Sequence, residues 1–342
     1  MRRVVVLAAV LMAGCGTPGY LVRAGWQEAR LLLRRQPITA LLARSDLDPA
    51  LRERLALTLA VRDFAAGPLG LRVGDSYTTF ADVEREAPVW VVSAARRDRL
   101  EAHSWGYPLV GRLPYRGFFD RGAAEDVARD LAARDLDVEV RPAIAFSTLG
   151  WFADPLLSTA AEGPPVAVAE TVIHELFHQT LYVPGAAAFN ESAATFAGHR
   201  GAISFFCGGP GDAPGACAAA RQRWDATRAH GRVLTRLADR LRRLYAAHPT
   251  VPVRERLRAE LAQAAAGALG RRGLFGRDDL LPPNNARLLA AMAYATELDT
   301  FDRLAPADAD IGPALGALVE RARGAADPFE ALAVLASGRE GR

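Results

Sequence analysis

The chain has 342 residues, half of them hydrophobic, and 42 basic against 39 acidic side chains give a net charge of +3. That apolar content excludes global disorder, and so small a charge without a basic tract excludes nucleic acid as an expected partner. Lysine is absent altogether, every basic residue being arginine, which excludes Schiff-base chemistry and the usual phosphate-binding loop.

At the start, Arg2 and Arg3 precede an apolar run from Val4 to Ala13. A bilayer span needs about 20 such residues, so the run reads as a secretory signal instead. Met12-Ala13-Gly14-Cys15 resembles a bacterial lipobox, which predicts a lipoprotein signal over 1–15 with Cys15 lipidated and anchored in the membrane. Gly16 follows with no aspartate for inner-membrane retention. The expected location is the cell envelope, facing the periplasm, on the outer rather than the inner membrane.

From Tyr20 to Arg44 the periodicity predicts a helix with arginines on one face, and a second helix follows from Pro49 to Ala66. Strand signals appear at Ala87 to Ala95 and Leu136 to Ser147, with a helical pattern from Arg121 to Asp135 between them. Beyond Pro164 the pattern is helical: Val166–Tyr182, Asn190–Phe206, Ala218–His248, Arg254–Gly270, Asn284–Thr300 and Ile311–Arg323. The predicted fold class is α+β, with N-terminal helices and a mixed α/β lobe over 16–163. A helical lobe spans 164–342, and the stretch Thr171 to Gly198 lies at the junction. Cys207 and Cys217 bracket a glycine- and proline-rich loop. In an exported protein that spacing predicts a disulfide, with a pair of buried free thiols as the alternative.

The chemistry concentrates at the junction, where His174, Glu175 and His178 interrupt an apolar helix and Glu191 follows. On a helix His174 and His178 sit one turn apart, so both imidazoles reach one ion. Glu175 lies about 100° around, placed to take a proton from a water on that ion. Pro184-Gly185 stops the helix, and Asn190 is expected to cap the next one, with Glu191 in its first turn. The expected cofactor is one Zn2+ held by His174, His178 and Glu191 with a fourth position open. The alternative is a metal-free core in which Glu175 and Glu191 satisfy the histidines. His199, about 80° off the Glu191 face, is not counted as a ligand.

This pattern resembles the gluzincin metallopeptidases, in which the histidine pair is completed by the glutamate of an Asn-Glu-x-x-Ala motif, here Asn190 to Ala194. More closely, the chain resembles a bacterial aminopeptidase family whose members carry lipoprotein signals. That likeness runs through Gly14-Cys15, "YRGFFD" (Tyr115 to Asp120), "STLGWFADP" (Ser147 to Pro155), the zinc stretch and "NNARL" (Asn284 to Leu288). The resemblance implies a zinc-dependent peptidase of the cell envelope, an aminopeptidase acting on peptides with Glu175 as general base. Two features depart from the clan. Only twelve residues separate His178 from Glu191, and Thr195 stands where a supporting acid is common.

The clan also uses a donor for the oxyanion, for which Tyr294 is the first candidate and Tyr245 and His230 the next. Its edge strand before the zinc helix corresponds to the segment leading into Trp151 and Phe152, which would line a substrate pocket. An aminopeptidase holds the substrate ammonium beside an acid. The clan's usual Gly-x-Met-Glu-Asn loop is missing here, so Asp154 is the expected anchor, ahead of Glu162 and Glu170. The competing readings are an endopeptidase or other amide hydrolase, and a non-catalytic envelope scaffold with a degenerate zinc site.

Overall fold

The computed structural model describes residues 34–83, 87–107, 111–143, 153–274, 276, 280–306 and 310–340. In chain order the first elements are β1 (Gln36–Pro37), α1 (Ile38–Leu42), α2 (Pro49–Ala66) and β2 (Thr79–Ala81). Of the helix predicted from Tyr20 to Arg44, residues 20–33 lie outside the described residues. The remainder is not one helix. Pro37, with its fixed φ and no N–H, closes a short β pairing with β2 and the chain restarts as α1. α2 begins where Asp48 accepts a hydrogen bond from the Leu51 N–H at 2.8 Å, with Pro49 in the first turn.

The largest sheet is antiparallel, with β3 (Val89–Arg96) between β6 (Tyr115–Phe118) and β7 (Leu136–Ala143). A small hairpin, β4 (Trp105–Tyr107) with β5 (Gly111–Leu113), stands beside it. α3 (Arg121–Ala132), capped by Asp120, covers one face. Strand β7 reads "LDVEVRPA", and its alternation divides two jobs. Leu136, Val138 and Val140 pack with Trp90, Val92 and Leu131 under α3. Asp137, Glu139 and Arg141 therefore face the other way, toward the helices that follow.

Those helices come after β8 (Leu156–Leu157), which pairs parallel with β2, and α4 (Ser158–Ala161). They are α5 (Pro165–Thr180), α6 (Ala187–Phe206), α7 (Pro214–Ala246), α8 (Val251–Arg271), α9 (Asn285–Ala293), α10 (Leu298–Asp302), α11 (Gly312–Ala322) and α12 (Pro328–Glu340). Their core includes Ile173, Leu176, Phe177, Phe196 and Phe301, and it takes in Ile38, Leu55 and Phe64 from the N-terminal helices. The architecture is α+β, mainly helical with small sheets. A disulfide joins Cys207 to Cys217 across the α6–α7 connection.

Polar groups of the sheet dock it on the helices. Asp137 accepts from the buried Arg258 guanidinium and from the Asn285 N–H at 2.8 Å, and Glu139 accepts from Arg287 Nε at 2.9 Å. One predicted helix is divided. The pattern from Asn284 to Thr300 forms α9 and α10, parted by a turn in which Glu297 has φ 56°. The cause is tertiary: the Ser192 hydroxyl donates to the Ala293 carbonyl at 2.8 Å and accepts from the Thr296 N–H at 3.0 Å. Those bonds replace the helical ones and leave Tyr294 at the end of α9.

Candidate metal centre and active-site cleft

α5 is apolar almost all round, with Val168, Val172, Ile173, Leu176 and Phe177 buried. A helix of that kind sits inside the protein, so its few polar side chains must find partners there. His174 Nε2 lies 3.1 Å from His178 Nε2, and the two lie 3.4 and 3.5 Å from Glu191 Oε2 on α6. A tetrahedral ion with bonds of about 2.1 Å spaces its ligand atoms roughly 3.4 Å apart. Two imidazoles and one carboxylate converging at that spacing fit a divalent metal, and among the described residues this is the group able to hold one.

The turn between the helices explains how a twelve-residue gap suffices. Asn190 does not cap α6, which begins three residues earlier at Ala187. Its side chain instead grips the Val183 backbone from both sides, accepting from the N–H at 2.9 Å and donating to the carbonyl at 2.8 Å. Gly185 turns the chain at φ 80°. Glu191 is thereby carried into the second turn of α6, against the histidines.

Close approach continues above the turn at Gly198, where a Cβ would stand 2.6 Å from the Glu170 carbonyl oxygen and 3.3 Å from the His174 Cβ.

Burial resists charge here, yet neighbouring charges decide two of the three titrating groups. Burial opposes ionisation of Glu191, but His178 and His174 outweigh it and hold its carboxyl well below the usual range. Burial likewise opposes protonation of His178, and Glu191 and Glu175 reverse the sign and raise it. For Glu175 burial prevails, raising its carboxyl against the pull of both histidines.

A cleft of about 460 Å³ opens beside these residues, lined by Glu170, His174, Glu175 and His199 from α5 and α6, by Arg141 from β7 and by Tyr294 at the end of α9. The Tyr294 ring stacks on His174 with centroids 6.1 Å apart, and the Arg141 guanidinium lies 5.6 Å from the Tyr294 centroid. A family model described as "Putative aminopeptidase" matches residues 19–311. The chain belongs to that family. No curated protein and no solved structure matches it.

In this aminopeptidase-family chain the other expected residues are distributed unevenly. Tyr294 reaches the cleft, where burial and Glu191 push its phenol up against the opposing effect of Arg141. Tyr245 does not; its hydroxyl donates to Asn285 Oδ1 at 2.9 Å. His230 is buried on α7 and is not among the described residues lining the cleft. Asp154, the expected ammonium anchor, is not among the described residues lining the cleft, although its charge reaches Glu175 and helps to raise that carboxyl. It is 2% exposed, and its backbone N–H donates to Ser76 Oγ while Gln179 Nε2 approaches its Oδ2 at 3.5 Å. The Tyr77 N–H to Asp154 carbonyl bond, at 2.7 Å, fixes this segment to the strand region before β2. Trp151, Phe152 and Cys15 lie outside the described residues.

Glu170 lines the cleft but is fully engaged. Arg223 binds both its oxygens, at 2.9 and 2.6 Å on Oε2 and 3.0 Å on Oε1, and His199 Nδ1 stands 2.8 Å away. Burial alone would raise this carboxyl; His199 and Arg223 outweigh burial and lower it. Two site residues were missed from the sequence. Tyr115 on β6 sits close enough for Glu191 and Tyr294 to push up its already buried phenol. Arg141 was signalled by the alternation of β7, which sets Asp137, Glu139 and Arg141 on one face.

Proposed function

We propose that this chain is a zinc-dependent peptidase of the cell envelope, an aminopeptidase, with His174, His178 and Glu191 holding one zinc and Glu175 as general base. The observation that carries the reading is the convergence of the three donor atoms beside a buried carboxylate that is not one of them. Zinc bound there would polarise a peptide carbonyl and lower the pKa of a coordinated water toward neutrality.

The protein's own groups supply the rest. Burial raises the Glu175 carboxyl toward the working pH, the direction that suits a group that first accepts a proton and then delivers it to the leaving amine. Tyr294, kept neutral by burial and by Glu191, has an O–H to offer the oxyanion that develops on the carbonyl oxygen. The deciding experiment is hydrolysis of a defined peptide mixture by purified protein, with and without a zinc chelator, alongside metal analysis. One zinc per chain, activity lost with chelator and restored by zinc are expected. Full activity after complete metal removal would sink the proposal, as would undiminished zinc in a His174→Ala/His178→Ala double variant.

The envelope location rests on the lipobox-like residues ending at Cys15. Mature protein extracted from membranes should carry the mass of a triacylated cysteine at its first residue. An unmodified N-terminus beginning elsewhere would remove the anchor from the proposal.

A further inference from the structure

We infer that Arg141 recognises a substrate carboxylate, so that the preferred substrates are short peptides whose free C-terminus lies within one or two residues of the bond cut. The inference rests on the peptidase reading and narrows its substrate class.

Arg141 lines the cleft, as does Glu175. Its contact is the Tyr294 side chain, through the ring and a hydrogen bond to the phenol. Among the described residues no carboxylate lies within 4.0 Å of it. The acids on its own strand face are already bound, Asp137 by Arg258 and Glu139 by Arg287. Glu191 favours its charge only from beyond contact distance. A partly buried guanidinium with no contacting anion is costly, and a planar, bidentate donor is the side chain best matched to a carboxylate.

The balance of charge in the cleft points the same way. Glu170 is neutralised by Arg223 and His199, and Glu191 and Glu175 belong to the metal group and the proton-transfer step. Asp154 is 2% exposed and is not among the described residues lining the cleft. No described acid in the cleft is left for a substrate ammonium, whereas one cation is left for a substrate anion.

Position sets the length. Arg141 is two stacking contacts from His174, through Tyr294. An extended chain advances about 3.3–3.6 Å per residue, so the carboxylate can stand only one or two residues from the bond held at His174. This reconciles an aminopeptidase family with a cleft whose described residues offer no free acid: in a dipeptide or tripeptide the C-terminal carboxylate is within reach and can orient the substrate.

The test compares di- and tripeptides with free and with amidated C-termini. Wild-type kcat/KM should favour the free acids by on the order of 100-fold, mainly through KM, since truncating a desolvated charge pair has effects of that size. Arg141→Gln should collapse that ratio toward one, and Arg141→Lys should restore part of it. Equal cleavage of acids and amides by the wild type would overturn the inference. So would an Arg141→Gln variant that loses the same factor on both, which would make Arg141 a positioning residue acting through Tyr294. A second readout is independent of turnover: a free-acid dipeptide should raise the melting temperature of zinc-loaded Glu175→Gln protein and its amide should not. Hydrolysis of no peptide at all would count against the peptidase reading, and the binding comparison would still decide the role of Arg141.

Discussion

Replacing Glu175 with glutamine is expected to lower kcat by about 1,000-fold while leaving the metal content at one zinc per chain. General acid–base groups contribute on the order of 10² to 10⁴ in rate, and glutamine keeps the shape of the side chain but cannot carry the proton. The three converging donor atoms belong to His174, His178 and Glu191, so metal binding is not expected to depend on Glu175. Alanine at any of those three should do the reverse and deplete zinc first, with activity following. Metal analysis and kinetics on the same preparations separate the two roles. Zinc loss in Glu175→Gln, or near-normal turnover with zinc retained, would contradict the assignment.

Gly198→Ala should unfold the site from behind. Within a helix this exchange ordinarily stabilises a protein, because glycine there is about 1 kcal/mol less favourable than alanine. Here the sign reverses. The new methyl would meet the Glu170 carbonyl oxygen at 2.6 Å and press on the His174 Cβ at 3.3 Å, with backbone rather than a flexible side chain in the way. Relief requires α6 to move off α5, which carries Glu191 away from the histidines. Overpacking of this kind costs about 1–3 kcal/mol, so a lower unfolding midpoint and weaker zinc binding are expected together. A rise in the midpoint with zinc unchanged would show that the two helices separate at no cost.

The donor set was legible because a helix places residues four apart on one face whatever surrounds it. His174 and His178 need no tertiary knowledge to be paired, and the glutamate in "NES" follows within one connection. The main helices and the two central strands were legible for the same local reason. What depended on distant partners was not. Ser192 takes the Ala293 carbonyl and ends α9 at Tyr294, although the sequence there reads as helix to Thr300. Asn190 looks like a cap and acts as a clamp, because its partner is the backbone of Val183. Asp154 looked available beside its aromatic neighbours, and only the fold reveals Ser76 and Gln179 on its inner side. Arg141 is one arginine among 42; the alternation of β7 sets it on a face with Asp137 and Glu139, but only the fold brings that face to Tyr294 and the cleft. Pro37 is the exception, a local signal sufficient to interrupt the helical pattern, since among the described residues the chain pairs with β2 there and restarts as α1.

Strand β7 keeps stability and recognition on opposite faces. Val138 and Val140 hold the sheet to α3, while Arg141, on the alternate register, lines the cleft and contacts Tyr294. An exchange at 141 therefore removes no member of the apolar cluster under α3. Selection can rewrite what the pocket accepts at this position without drawing on the few kcal/mol that separate folded from unfolded chain. Members of one lineage can thus diverge in diet while sharing a metal centre.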